Sequence, residues 1–295
     1  MELKVNNAEG RNHSHLKHQK HYPVVLSIAG SDSSGGAGIQ ADLKTFSALG
    51  VYGATAITAI TAQNTCGVNS QFALPANMVY DQIIAVMEDI SPAVVKIGML
   101  ANVELVNAVA DALSSYSVPI VLDPVMVSSS GHRLLSIEAQ NVIKQRLLPM
   151  VQLLTPNIPE MCELTAMPLS TLDEKLLAVR KLAEFGAEAI LLKGGHEQGD
   201  SKTDILYKST TSGIEVSYFT SPTIATKNIH GTGCTLSSAI AAYMAQGCEL
   251  KEAVGRAKEY VSEAIKAGAD ICIGRGFGPV NHLFNPQKMQ IYEEQ

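Results

Sequence analysis

No stretch of this sequence approaches the ~18 consecutive apolar residues of a membrane span, so no transmembrane helix is expected. Charge is also scarce. Only 17% of residues are charged, against the ~25% of an average soluble chain. Low charge beside 46% hydrophobic residues excludes a disordered chain. Basic residues are the minority, 22 against 28 acidic for a net charge of −6, which argues against a nucleic-acid-binding protein. The five cysteines, Cys66, Cys162, Cys234, Cys248 and Cys272, are odd in number, far apart and free of any C-x-x-C. That spacing excludes a disulfide framework and a zinc ribbon. The N-terminus has no apolar core of a secretory signal, and a reducing cytoplasm is the expected compartment.

Two phosphate signatures are missing as well. No Gly-Lys-[Ser/Thr] follows a glycine cluster, so there is no Walker A loop. Residues 36–41 match G-x-G-x-x-A, but no Asp or Glu lies between Asp42 and Asp81. A dinucleotide fold needs an acid about 20 residues on to hold the ribose, so that match is discounted.

A chain of 295 residues is one large domain or two small ones. Residues 1–22 are polar and hold four of the eight histidines, His13, His15, His18 and His21. They are expected to form a disordered tail, with adventitious metal binding as the alternative. From residue 24 the pattern alternates. Apolar runs at 24–29, 55–62, 94–97, 119–122, 152–154 and 189–192 read as strands. Helical periodicity falls at 38–49, 78–89, 103–116, 137–147, 173–185, 234–244 and 250–267. Residues 204–207 and 214–219 read as an antiparallel hairpin. This rhythm implies one α/β domain over 23–295, with a mostly parallel sheet and helices on both faces.

In such sheets ligands sit beyond the carboxyl ends of the strands. Polar or glycine residues follow nearly every strand here: Gly30-Ser-Asp, Gln63-Asn-Thr, Gly98, Asp123, Thr155-Pro-Asn157 and Lys193-Gly-Gly195. They are expected to converge on one face. The cluster from Gly30 to Gly38 is either a tight turn or a small-molecule-binding turn at a helix start. His230-Gly-Thr-Gly-Cys-Thr235 opens a helix and offers an anion hole. Cys234 would then lie at the positive end of a helix dipole, where a thiol pKa falls; the plainer alternative is a small buried hydrophobe. Asn157 and Glu160 suit either a hydrated Mg²⁺ or a capping box. Lys193 is either a phosphate contact or an exposed lysine at a strand end. His132 and His282 stay unassigned.

In this order, the segments 29–50 (AGSDSSGGAGIQADLKTFSALG), 59–68 (AITAQNTCGV), 96–100 (KIGML), 121–131 (VLDPVMVSSSG), 154–160 (LTPNIPE), 191–196 (LLKGGH), 227–242 (KNIHGTGCTLSSAIAA) and 276–282 (GFGPVNH) resemble the hydroxymethylpyrimidine/phosphomethylpyrimidine kinase family of the ribokinase-like superfamily. The resemblance covers essentially the whole domain. It implies a three-layer α-β-α sandwich and a cytoplasmic homodimer. It also implies phosphorylation of 4-amino-5-hydroxymethyl-2-methylpyrimidine, then of its monophosphate, by ATP with Mg²⁺, in thiamine biosynthesis. By the same resemblance Gly30, Asp42 and Gln63 are pyrimidine contacts, and Lys193, Asn157 and Glu160 serve ATP. Asp123 and Glu160 serve the metal, Gly231, Thr232 and Gly233 form the anion hole, and Cys234 is the base. One departure is Ile229, where the family usually has Thr. Two other readings stay open: a pyridoxal/pyridoxine kinase of the same fold, and a non-catalytic pyrimidine-binding protein, which only Ile229 supports.

Overall fold

The computed structural model describes residues 20–127, 131, 133–195, 199–211 and 213–293. The elements in chain order are β1 (Lys20–His21), β2 (Val24–Asp32), α1 (Gly38–Ala48), β3 (Tyr52–Asn64), β4 (Gly67–Ala73), α2 (Ala76–Asp89), β5 (Val94–Ile97), α3 (Val103–Leu113), β6 (Ile120–Leu122), α4 (Ile137–Val142), β7 (Leu153–Leu154), α5 (Ile158–Thr165), α6 (Leu172–Ala183), β8 (Ala189–Leu192), β9 (Ser201–Thr210), β10 (Gly213–Pro222), α7 (Thr232–Ala245), α8 (Leu250–Gly268) and β11 (Tyr292–Glu293).

Nine strands form one sheet in the order β10-β9-β8-β7-β6-β5-β2-β3-β4. The six central strands pair in parallel, and β4, β9 and β10 are antiparallel additions at the two edges. Side chains alternate across a strand, and the short central strands β5 to β8 are apolar at every position but Lys96, so each feeds two cores. Leu26, Ile28, Val95, Ile97, Ile120 and Leu122 face α2–α6. Val25, Val94, Val121, Leu153 and Leu191 face α1, α7 and α8. This is the expected three-layer sandwich, with the antiparallel hairpin at one edge.

The structure differs from the sequence reading at one boundary and at two elements. Lys20 and His21 pair with Glu293 and Tyr292, so the expected 1–22 tail is already ordered at residue 20; its first 19 residues lie outside those described. The segment forming β4 was not read from the sequence, and of α5 only the start at Asn157 and Glu160 was. β4 alternates weakly, and α5 starts Ile158-Pro159 after its N-cap Asn157. Pro159 and the capping box mark a helix start, and the helix is only two turns long.

Connection order turns around at β2. From it the chain runs outward through β3 and β4, then returns to β5 and proceeds the other way to β8. A crevice opens at such a switch point, and it lies between the ends of β2 and β5.

Candidate active site

A cavity of about 650 Å³ sits over those carboxyl ends. Its wall includes Gly30, Asp32, Gln63, Lys96, Asp123, Asn157, Glu160 and Lys193, together with Ile229 through Cys234. The polar residues that follow the strands therefore do converge.

Two glycine loops meet at its centre. Gly231 has φ +80° and caps α7. A side chain there would run into the Gly36 carbonyl, so residues 36 and 231 can approach only backbone to backbone. No side chain caps α7. The first-turn N–H groups of a helix have no intrahelical partner, and such an end suits an anion. The Thr232 N–H already reaches Ile229 O at 3.2 Å, so Gly233 and Cys234 are the freer donors of the expected anion hole.

Cys234 is half-buried beside this turn. Burial pushes its thiol up to about 11, only partly offset by Lys96 and by the Gly38 N–H donated to its sulfur. This runs against the expectation of a lowered thiol: burial, joined by Asp42 and Asp123, outweighs Lys96 and the Gly38 N–H.

Asp42 is placed differently from its expected role. It is absent from the cavity wall and has no exposed surface. Its oxygens accept from Lys96 Nζ at 2.9 and 3.0 Å, from Ser27 Oγ at 2.5 Å and from Ser238 Oγ at 2.6 Å. With every lone pair engaged, it supports the site from below rather than touching a ligand. Lys96 reaches the wall in its place. Burial works against its charge, but Asp42 outweighs burial and holds its pKa above the usual lysine value. A lone lysine inside the apolar run Val94-Val-Lys-Ile97 was the available signal.

At the other side, Lys193 Nζ lies 2.6 Å from Asp123 Oδ1 and 3.8 Å from Glu160 Oε2. Burial opposes the ammonium, yet the two carboxylates outweigh it and raise its pKa. Glu160 is pushed up to about 7, by burial first and by Asp123 third, against Lys193. Asn157 and Glu160 also form a complete capping box for α5: Glu160 Oε2 accepts the Asn157 N–H at 2.8 Å, and Asn157 Oδ1 accepts the Glu160 N–H at 2.9 Å. The cap and the cavity wall are thus the same two residues.

Gly30 lies against Met99, whose methyl would meet any side chain there. Met99 packs with Ala59 and Leu134, and Val125 adds to this small apolar group. Gln63 stands nearby on the wall, within 3.4 Å of His230. His282 is buried against Thr235, and burial lowers its pKa to about 4. His132 lies outside the described residues. Asp32, Lys96, Met99 and His230 were not singled out as site residues from sequence. Each sits inside a quoted motif, and of the four only Lys96, alone in an apolar strand, has a signal of its own.

The family described as phosphomethylpyrimidine kinase matches residues 32–281. The chain is 48% identical over 260 residues to a thiamine biosynthesis bifunctional protein ThiED of Geobacter sulfurreducens, covering 88% of this chain but only about half, 52%, of that longer protein. It is 46% identical to a hydroxymethylpyrimidine/phosphomethylpyrimidine kinase of Salmonella typhimurium, over 88% of this chain and 97% of that one. Among solved structures it is similar to the pyridoxal kinase of Staphylococcus aureus in complex with AMP-PCP and pyridoxal, with TM-score 0.80 and 31% identity over 93% of this chain and 99% of the other.

Proposed function

This chain belongs to the phosphomethylpyrimidine kinase family, and from that premise we propose how its cavity divides the work of a hydroxymethylpyrimidine/phosphomethylpyrimidine kinase. The enzyme is an ATP-dependent phosphotransferase of thiamine biosynthesis. The observation that carries the reading is the single cavity in which an uncapped helix start, the Asp123–Lys193 pair and Cys234 share one wall.

The pyrimidine lies against Gly30 and Gln63, between Met99, Val125 and Leu134. The nucleotide phosphates lie at Gly231 to Gly233, with Lys193 as their cation and Asn157 beside it. Mg²⁺ is held by Asp123 and Glu160. The donor set fits that ion: two buried carboxylates share one lysine, which leaves negative charge over. Mg²⁺ commonly takes one or two carboxylates and completes its shell with water and phosphate. When bound it neutralises charge on the phosphate oxygens.

Cys234 accepts the proton of the attacking hydroxymethyl group. The accepting form is the thiolate, which its high pKa makes a minority species at neutral pH; this is tolerable because phosphoryl transfer has a loose transition state and positioning dominates. Five free cysteines fit a cytoplasmic enzyme. A homodimer would cover the edge hairpin β3–β4, where Ile60 and Phe72 face each other in register and are both exposed.

A nucleotide-coupled assay with the hydroxymethylpyrimidine, its monophosphate and pyridoxal tests the assignment. Turnover of both pyrimidines is expected. The likeness to a pyridoxal-bound kinase supports pyridoxal as a second substrate, and exclusive turnover of pyridoxal would replace the first reading by the second.

A further inference from the structure

Asp32, His230, Gln63 and Thr61 form a chain of contacts along the cavity wall. The Asp32 carboxylate accepts from Ser34 N–H at 2.8 Å, Ser34 Oγ at 2.7 Å, Gly36 N–H at 3.1 Å and Ala37 N–H at 2.8 Å. His230 Nε2 is 2.8 Å from its Oδ2. Burial would raise this acid, but His230, Ser34 and Ala37 outweigh burial and hold it at about 2. An ionised carboxylate only accepts, so His230 Nε2 carries the hydrogen.

The same Nε2 lies 3.4 Å from Gln63 Nε2. With the amide in that sense, two N–H groups would face each other. At its other end Gln63 Oε1 is 3.2 Å from Thr61 Oγ1, whose single hydrogen already goes to Ser31 O at 2.9 Å. Two oxygens would then face each other without a proton between them. Both conflicts vanish if the carboxamide is turned about its last bond, since its two ends are nearly alike in shape and are told apart by their partners. Gln63 Oε1 then faces the one His230 Nε2–H as its second, longer acceptor beside Asp32 Oδ2, and Gln63 Nε2 donates to Thr61 Oγ1. One N–H of Gln63 is left over.

We propose that Asp32 and His230 fix the orientation of the Gln63 carboxamide, so that Gln63 presents an N–H to the substrate and reads a ring-nitrogen acceptor. The proposal rests on the reading of Gln63 as a pyrimidine contact. His230 is a positioning residue here: it acts through Gln63. An enzyme built this way selects heteroaromatic alcohols with an unprotonated nitrogen at that edge, and rejects rings that carry C–H there.

Steady-state kinetics on 4-amino-5-hydroxymethyl-2-methylpyrimidine and its two analogues with one ring nitrogen replaced by C–H test it. The native enzyme should lose ~10-fold or more in kcat/KM on one analogue, the cost of leaving a site donor unpaired. His230→Phe should raise the pyrimidine KM ~10-fold, leave the ATP KM within about twofold and erase the discrimination. His230→Gln, whose amide nitrogen can stand where Nε2 stood, should restore most of it. Thr61→Val removes the other anchor at nearly constant shape and should act in the same direction, which keeps the test open if His230→Phe does not fold. Discrimination that survives His230→Phe or Thr61→Val overturns the proposal, and so does an equal rise in ATP KM. Gln63→Ala separates the two levels. An unchanged pyrimidine KM there removes Gln63 from the ring and the proposal with it; a raised KM beside unimpaired discrimination in the other variants removes only the orienting role.

Discussion

Two lysine–carboxylate pairs present a lysine to the cavity, and they differ in what else the carboxylate must satisfy. At Lys96, one carboxylate meets one ammonium, two hydroxyls take the remaining lone pairs, and neither side chain is exposed. At Lys193, two carboxylates share one ammonium, and that side chain keeps 11% of its surface. The first pair is balanced and closed. The second carries excess negative charge and opens to the cavity. A closed pair can only hold its neighbours in place. An open, over-acidic pair must keep a proton or take a cation, and that is what a site for metal-bound phosphate requires.

Breaking the closed pair should have the largest effect. Lys96→Met leaves Asp42 charged and buried, which typically costs ~3–5 kcal/mol, or roughly 10 °C in Tm for a chain of this size. Lys193→Met should cost less than half of that, because Asp123 and Glu160 can share a proton instead. Its loss should fall on kcat/KM for ATP. Thermal unfolding with steady-state kinetics on both variants decides the matter. Equal losses of stability would erase the distinction between the pairs.

Cys234 lies between them and sharpens the comparison, since Lys96 steadies its thiolate while Asp42 and Asp123 oppose it. Cys234→Ala should lower kcat of the first phosphorylation by ~10², the low end for a general base. The second phosphorylation should lose less, because a phosphate oxygen needs no base. A thiol near 11 also predicts that the first rate climbs through the alkaline range, about tenfold per pH unit, whereas Cys234→Asp shifts that limb to lower pH. A flat profile in the native enzyme would leave Cys234 as packing.

The open pair predicts a pH signature in stability. Glu160 is held at about 7 in the folded chain against an ordinary carboxyl value of ~4.5. The folded state therefore binds the proton more tightly, so this group's stabilisation is full at low pH and is lost as pH rises from about 4.5 to 7. His282, lowered to about 4, contributes with the opposite sign: a neutral buried imidazole stabilises as pH rises through about 4 to 6.5. The difference between native protein and Glu160→Gln isolates the first term, expected at ~1–2 kcal/mol across the window because Lys193 and Asp123 respond with it. Gln keeps the capping acceptor, so α5 should persist, while the Mg²⁺ concentration for half-maximal rate should rise. A large fall in Tm with unchanged Mg²⁺ dependence would leave Glu160 only its cap.

These contrasts mark how far sequence reasoning reached. The parallel sheet was legible because β5 to β8 are apolar but for Lys96, and polar or glycine residues stand directly after them. Lys193, Asp123, Glu160 and Cys234 were legible because each follows a strand or opens a helix. Asp42 was misplaced because helical position does not say which way a carboxylate turns, and its partners Ser27, Lys96 and Ser238 come from three distant segments. The direction of the Cys234 shift was missed for a similar reason. A helix dipole is visible in sequence, but dehydration depends on what covers the thiol, and that is known only after folding.

The smallest effect belongs to Ile229. Its side chain lines the cavity and is 43% exposed, so it contributes little to packing. What the residue supplies to the turn before α7 is main chain: its carbonyl accepts the Thr232 N–H at 3.2 Å, and its N–H reaches Lys227 O at 3.0 Å. Threonine is β-branched as isoleucine is, so the backbone preference carries over. Ile229→Thr therefore adds one hydroxyl to an intact turn. The ATP KM should change by less than tenfold, which is ~1.4 kcal/mol, with Tm unaltered. A larger change in ATP KM would mean that the side chain at 229, and not the helix start beside it, governs phosphate binding.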